Sequence, residues 1–157
     1  MDFKEIIHIL QKERKTIATM ESCTGGGVAN AITNCEGASE ILKFSAVTYS
    51  NEYKIKMGVS SEVIDKFTVY SMETADEMSK NITKFANSNY GVGITGQLNR
   101  QDPANPVGKD NVVYISIYDS TNDKYYRDTM EVHKESRKLN KEHVIERIIE
   151  MLLEILK

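Results

Sequence analysis

The stretch Met20-Glu21-Ser22-Cys23-Thr24-Gly25-Gly26-Gly27-Val28 constrains this chain more than any other. A short β-rich run, Thr16 to Met20, ends there, and three consecutive glycines open what reads as a helix over 27–33. Strand, Gly-rich turn and helix in that order place Ser22 on a corner at the edge of a sheet. Glycines lack the Cβ atoms that keep a ligand off the backbone. The first free amides of a helix, with its dipole behind them, favour a phosphate, a carboxylate or a developing oxyanion. The alternative is a tight turn with Ser22 or Thr24 as the helix cap.

The rest of the chain supplies a frame for that corner. Phe3, Ile6, Ile7 and Leu10 form the apolar stripe of a first helix ending near Lys15, and Asn34 to Ala38 breaks the helix after the corner. Phe44 to Tyr49 is a second strand, ending in the polar cluster Tyr49-Ser50-Asn51-Glu52-Tyr53-Lys54. Two short helices, 52–57 and 60–67, precede a longer one that Ser71 opens and that runs to about Asn87. Tyr90 to Thr95 alternates glycine with larger residues and reads as a third strand, with Thr95-Gly96 as its polar exit. Gln97 to Asp110 is a long loop holding both prolines, Val112 to Tyr118 and Lys124 to Val132 form a hairpin, and Asn140 to Leu156 is a C-terminal helix. This alternation predicts a three-layer α/β/α sandwich with a mixed, largely parallel sheet. Ligands of such sheets gather beyond the carboxyl ends of the parallel strands, where Ser22, Tyr49 to Lys54 and Thr95-Gly96 stand.

Composition narrows the class. A chain of 157 residues with 40% hydrophobic and 27% charged residues fits one domain, 1–157. A formal net charge of −3 without a dense Lys/Arg stretch argues against nucleic acid or an anionic membrane as partner, and leaves small-molecule chemistry. The N-terminal ten residues are amphipathic and broken by charge, so they read as neither a signal peptide nor a span. Two cysteines, Cys23 and Cys35, offer neither a disulfide framework nor a zinc site, which fits a reducing cytoplasm.

Glu-Ser-Cys-Thr-Gly-Gly at 21–26, Tyr-Ser-Asn-x-x-Lys at 49–54, Gly58-Val59, Gly-Ile-Thr-Gly at 93–96 and the Val-Gly before the strand near 107–117 carry a resemblance. In this order, over nearly the whole chain, they are similar to the CinA C-terminal domain family. The resemblance implies metal-free, cofactor-free hydrolysis of the carboxamide of nicotinamide mononucleotide, giving nicotinic acid mononucleotide and ammonia. It implies Ser22 as nucleophile, Lys54 as its base, Tyr49 as an assistant, and a homodimer. Glu21, Cys23, Thr24, Gly25, Gly26, Asn51, Thr95 and Gly96 are the motif residues expected around the substrate. The separate N-terminal domain of longer CinA proteins, which resembles molybdopterin-binding domains, has no counterpart in these 157 residues, so the stand-alone form is expected.

The chemistry is sensible on its own terms. A Ser hydroxyl becomes a nucleophile when a neighbouring base takes its proton, and burial prepares a Lys for that task by disfavouring its charge. Tyr49 is expected to hydrogen-bond Ser22 or relay a proton to the leaving ammonia, and the Gly25 and Gly26 amides are candidates for the oxyanion. Cys23 is the rival nucleophile, but His8, His133 and His143 all lie away from the polar strand ends, so Ser22 is favoured. The chain departs from the family in two places. Many relatives follow Thr-Gly with glycines and proline, a phosphate cradle; here stands Gln97-Leu98-Asn99-Arg100-Gln101-Asp102-Pro103. Arg100 is then the loop's candidate for a phosphate, against a loose pairing with Asp102. Of the Gly-Asp-Arg that relatives often carry before the last helix, only Arg137 remains, a further substrate candidate or a helix-flanking surface residue. An amidase for another substrate and a non-catalytic nucleotide-binding or partner-binding module remain the alternatives.

Overall fold

The computed structural model describes residues 1–98, 104–105, 109–133 and 135–157. Its elements are α1 (Lys4–Glu13), β1 (Ile17–Glu21), α2 (Gly27–Thr33), α3 (Ala38–Ile41), β2 (Leu42–Val47), α4 (Asn51–Lys56), α5 (Ser61–Phe67), α6 (Met72–Ala86), β3 (Tyr90–Gly96), β4 (Val112–Asp119), β5 (Lys124–Glu131) and α7 (Arg137–Leu156). The strands form one sheet in the order β2-β1-β3-β4-β5. β1 lies parallel to both β2 and β3, while β4 is antiparallel to β3 and β5, so β4 alone runs against the other four. Helices cover both faces, and the expected three-layer α/β/α sandwich with a mixed sheet is the fold observed.

Alternation along β1, which lies between β2 and β3, shows how the layers form. Every residue of β1 is buried, so both of its faces need cover. Ile17 shares a core cluster with Phe3, with Ile7 and Leu10 of α1, Val28 and Ile32 of α2, and Ile148 of α7. Ala18 and Met20 point the other way, to Met78 and Ile82 of α6. Glu21, in phase with Ile17, therefore faces the layer that contains α2.

The glycines of β3 let α6 lie directly on the sheet. A Cβ at Gly93 would stand 2.5 Å from Ala75 O and 2.6 Å from Ser79 N, and one at Gly91 would stand 2.4 Å from Ser79 O. Backbone atoms of a helix cannot swing aside as a side-chain tip can, so even a methyl group forces the layers apart. Gly93→Ala is expected to destabilise the fold by about 3 kcal/mol, a fall of roughly 6–12 °C in Tm by thermal melt. An unchanged Tm would mean the layers separate at little cost.

Two boundaries differ from the sequence expectation. The break at 34–38 is followed by α3, and β2 starts at Leu42, two residues before Phe44. More consequentially, α7 begins at Arg137, one turn before Asn140. Ser136 is its N-cap, with Oγ accepting from Leu139 N at 3.1 Å, which satisfies an amide left free by the first turn. Arg137 is thus the first helical residue.

Candidate functional site

The carboxyl end of β1 builds the site. Ser22 follows the strand directly, its amide donates to Ile94 O of β3 at 3.2 Å, and Thr48 N donates to Glu21 O at 2.7 Å, joining the end of β2 to the same corner. Beyond Ser22 the chain turns sharply: Gly25 N donates to Ser22 O and Gly27 N to Thr24 O, each at 2.9 Å. Gly25 and Gly26 have φ of +61° and +94°, a left-handed conformation that favours glycine and explains the tight turn before the helix.

The amides at the start of α2 are not open to a ligand as the sequence suggested. Val28 N and Ala29 N donate to the Glu21 carboxylate, each at 2.9 Å, and Thr24 Oγ1 donates to it at 2.7 Å. Glu21 is fully buried, and its carboxylate, rather than Ser22 or Thr24, neutralises the positive end of the helix. A buried carboxylate persists when it accepts hydrogen bonds of this number and geometry. Thr24 thereby fixes the turn. Of the two amides expected to hold an oxyanion, that of Gly25 is engaged by Ser22 O; those of Gly26 and Thr24 have no acceptor among the described residues.

Lys54 completes the constellation. Ser50 caps α4 by accepting from Tyr53 N at 3.2 Å, and the helix turns its single buried side chain, Lys54, inward. The Lys54 Nζ donates to Ser22 Oγ at 3.0 Å and to Thr48 O at 2.7 Å. Ser22 is 7% exposed and Lys54 2% exposed, so an amine nitrogen and a hydroxyl meet largely out of water. Burial disfavours the charged form of a lysine and the carbonyl of Thr48 aims its nitrogen at Ser22. Thr48 has no signature in the sequence because it acts through its backbone.

Cys23 is the buried neighbour of Ser22. Burial pushes its thiol up from an ordinary 9.0 to about 12, with Glu21 adding to the shift while Lys54 and Arg137 oppose it. The thiol is therefore protonated throughout the physiological range, and thiolate is the form that attacks. Iodoacetamide at pH 8 is expected to leave the folded protein's Cys23 unmodified, read by mass spectrometry, and Cys23→Ala to keep most activity. The unfolded chain ionises this thiol first, so the contribution to stability is complete below pH 9 and is lost as pH rises toward about 12. Rapid labelling of Cys23 in the folded protein would contradict its protonated state.

The remaining candidates divide. Tyr49 is 62% exposed and its hydroxyl accepts from Arg137 NH2 at 3.4 Å, in place of the expected bond to Ser22. Arg137 also donates from NH1 to Leu98 O at 3.2 Å, so the first turn of α7 is tied to both the second strand's exit and the third's. Asn51 pairs its amide with that of Asn105, donating at 2.9 Å and accepting at 3.4 Å. Thr95 is fully buried and gives its hydroxyl to Val69 O at 2.7 Å; Gly96 packs where a Cβ would meet Val112 O at 2.5 Å. These two shape the interior beneath the site. Arg100 and Asp102 lie outside the described residues. Lys141 was missed by the sequence reading: its Nζ stands 3.3 Å from the position of a Cβ on Gly25. Among the described residues no group of three or more His, Cys, Asp or Glu is placed to hold a metal ion, and no helix is long and apolar enough to cross a membrane.

Comparison with known proteins places the fold. A competence-damage inducible protein of Thermoanaerobacter pseudethanolicus is 40% identical over 124 residues, which are 77% of this chain and 29% of that protein. A CinA-like protein of Kosmotoga olearia is 41% identical over 116 residues, 72% of this chain and 27% of its own length. The chain thus spans less than a third of these curated relatives. Among solved structures, the competence/damage inducible protein CihA of Agrobacterium tumefaciens superposes with a TM-score of 0.87 at 27% identity, covering 98% of this chain and 93% of that one. A CinA superfamily protein of Escherichia coli shares the fold, with a TM-score of 0.84 at 21% identity over 96% of this chain and 86% of its own. The model of the CinA C-terminal domain matches residues 3–156, and the chain belongs to that family.

Proposed function

We propose that this chain is an amidohydrolase that converts nicotinamide mononucleotide to nicotinic acid mononucleotide and ammonia through a Ser22–Lys54 dyad. The observation that carries the reading is the 3.0 Å contact between Lys54 Nζ and Ser22 Oγ in a buried corner. In the reactive form the lysine is neutral: it donates one hydrogen to Thr48 O and presents its lone pair to the Ser22 hydroxyl. Ser22 Oγ attacks the carboxamide carbon as Lys54 takes the hydroxyl proton. The Thr24 and Gly26 amides are the candidates for the resulting oxyanion. Collapse breaks the C–N bond, and the proton on Lys54 passes to the departing nitrogen, releasing ammonia and leaving an acyl ester on Ser22. Water then attacks the ester with Lys54 again as base, freeing the acid and restoring the serine.

Tyr49 serves this reading as a rim residue that holds Arg137, rather than as a partner of Ser22. The replaced glycines at 97–103 favour one other reading, an amidase of the same mechanism for a different amide. Incubation of the pure protein with nicotinamide mononucleotide in the presence of EDTA separates the two. One ammonia per nicotinic acid mononucleotide is expected, and no ammonia would remove this substrate. A homodimer in the cytoplasm belongs to the same proposal, and sedimentation equilibrium reads the dimer.

A further inference from the structure

One stripe of α7 runs past the catalytic corner. Arg137, Lys141 and Ile145 are spaced four apart and so share a helix face. Arg137 reaches Leu98 O, Lys141 Nζ lies 3.3 Å from a Cβ placed on Gly25, and Ile145 Cδ1 lies 3.0 Å from one placed on Gly27. The glycines therefore do more than permit a turn: they let a cation come within contact of the backbone that follows the nucleophile.

Lys141 also opens onto a groove of about 630 Å³ between α2 and α7, whose polar lining includes Asn30, Asn34 and Lys138. Asp2, Glu142 and Glu146 line the same groove, yet no carboxylate among the described residues lies within ion-pair distance of Lys141. Glu21, the buried anion at the corner among the described residues, is already engaged by Thr24, Val28 and Ala29. A half-buried cation beside a turn whose own anion is occupied has charge to offer a ligand.

We propose that Lys141, held against Gly25 at the head of the α2–α7 groove, binds the phosphate of the mononucleotide while its carboxamide lies at Ser22. This rests on the amidohydrolase reading and deepens it. It assigns to the last helix the role that the missing glycines at 97–103 would have played. Lysine acts here as a point charge, so arginine is expected to substitute and a neutral residue is not.

The test compares wild type, Lys141→Ala and Lys141→Arg on nicotinamide mononucleotide and on nicotinamide riboside. Lys141→Ala is expected to raise KM for the mononucleotide by roughly ten- to a hundredfold more than for the riboside, with Lys141→Arg recovering most of the loss. Equal effects on the two substrates, or none, would overturn the assignment. Calorimetry with ribose 5-phosphate separates this claim from the enzymatic one. Wild type is expected to bind it in a salt-sensitive manner and Lys141→Ala to bind it at least tenfold more weakly. Should the wild type release no ammonia while this difference appears, the phosphate site stands and the amidohydrolase reading fails. Should ammonia appear while both proteins bind ribose 5-phosphate alike, the reverse holds.

Discussion

Ser22→Ala is expected to lower kcat/KM for nicotinamide mononucleotide by at least about 10⁴-fold, because nothing else at the corner can form the acyl ester. The loss is chemical rather than structural. Ser22 Oγ accepts from Lys54, so its removal leaves that nitrogen one acceptor short, which costs about 1–3 kcal/mol, or roughly 2–12 °C in Tm. The alanine protein should therefore melt cooperatively and still bind substrate. Residual turnover would come from the oriented amides of the turn. An active Ser22→Ala alongside an inactive Cys23→Ala would reverse the assignment, against a thiol held up to about 12 by burial.

Lys54→Met is the second large effect. Methionine keeps the length of the stem and removes the nitrogen, so kcat is expected to fall by about 10²- to 10⁴-fold, the usual worth of a positioned general base. KM should change little, since the proposed role of Lys54 is proton transfer. Stability pulls two ways. Thr48 O loses a donor in the interior, while a buried polar group is no longer desolvated. The two partly cancel, and the thermal melt should show a fold close to wild type. Full turnover by Lys54→Met would remove the lysine from the mechanism, and a rise in KM alone would make it a binding residue.

The sequence made the corner legible because its signals are local. Glycines at Gly25 and Gly26 announce positive φ, the β-rich run before them announces a strand, and the second polar exit at 49–54 follows from where β2 ends. What escaped depends on which atoms meet. Glu21 lies in phase with Ile17 on β1 and so is carried under α2, yet no local pattern says that its carboxylate takes the amides of Val28 and Ala29. Thr48 contributes a backbone oxygen, to which side-chain reasoning is blind. Tyr49 was expected to bond Ser22 or relay a proton, a role that the resemblance implies; instead its hydroxyl accepts from Arg137, 88 residues away.

The start of α7 shows how one boundary hides a site. With the helix begun at Asn140, Arg137 looks like a flanking residue and Lys141 like the first turn of a surface helix. Once Ser136 is recognised as the cap, Arg137 and Lys141 fall on one face four residues apart, turned toward Leu98 and Gly25 respectively. The signal was present: Ser136 followed by a helical apolar pattern is ordinary N-cap chemistry. The apolar stripe of the later turns drew the boundary too far along because Arg137 and Lys138 do not extend it.

Acylation of the protein by an activated ester of nicotinic acid mononucleotide tests the central claim most directly. A good leaving group makes formation of the acyl ester faster than its hydrolysis, so the intermediate accumulates and the leaving group appears in a burst. A burst of one equivalent per chain, with the added mass located on Ser22 by peptide mass spectrometry and absent from Ser22→Ala, is the expected result. The added mass on Cys23, or turnover of the ester with no acylated protein at any time, would contradict the Ser22–Lys54 account.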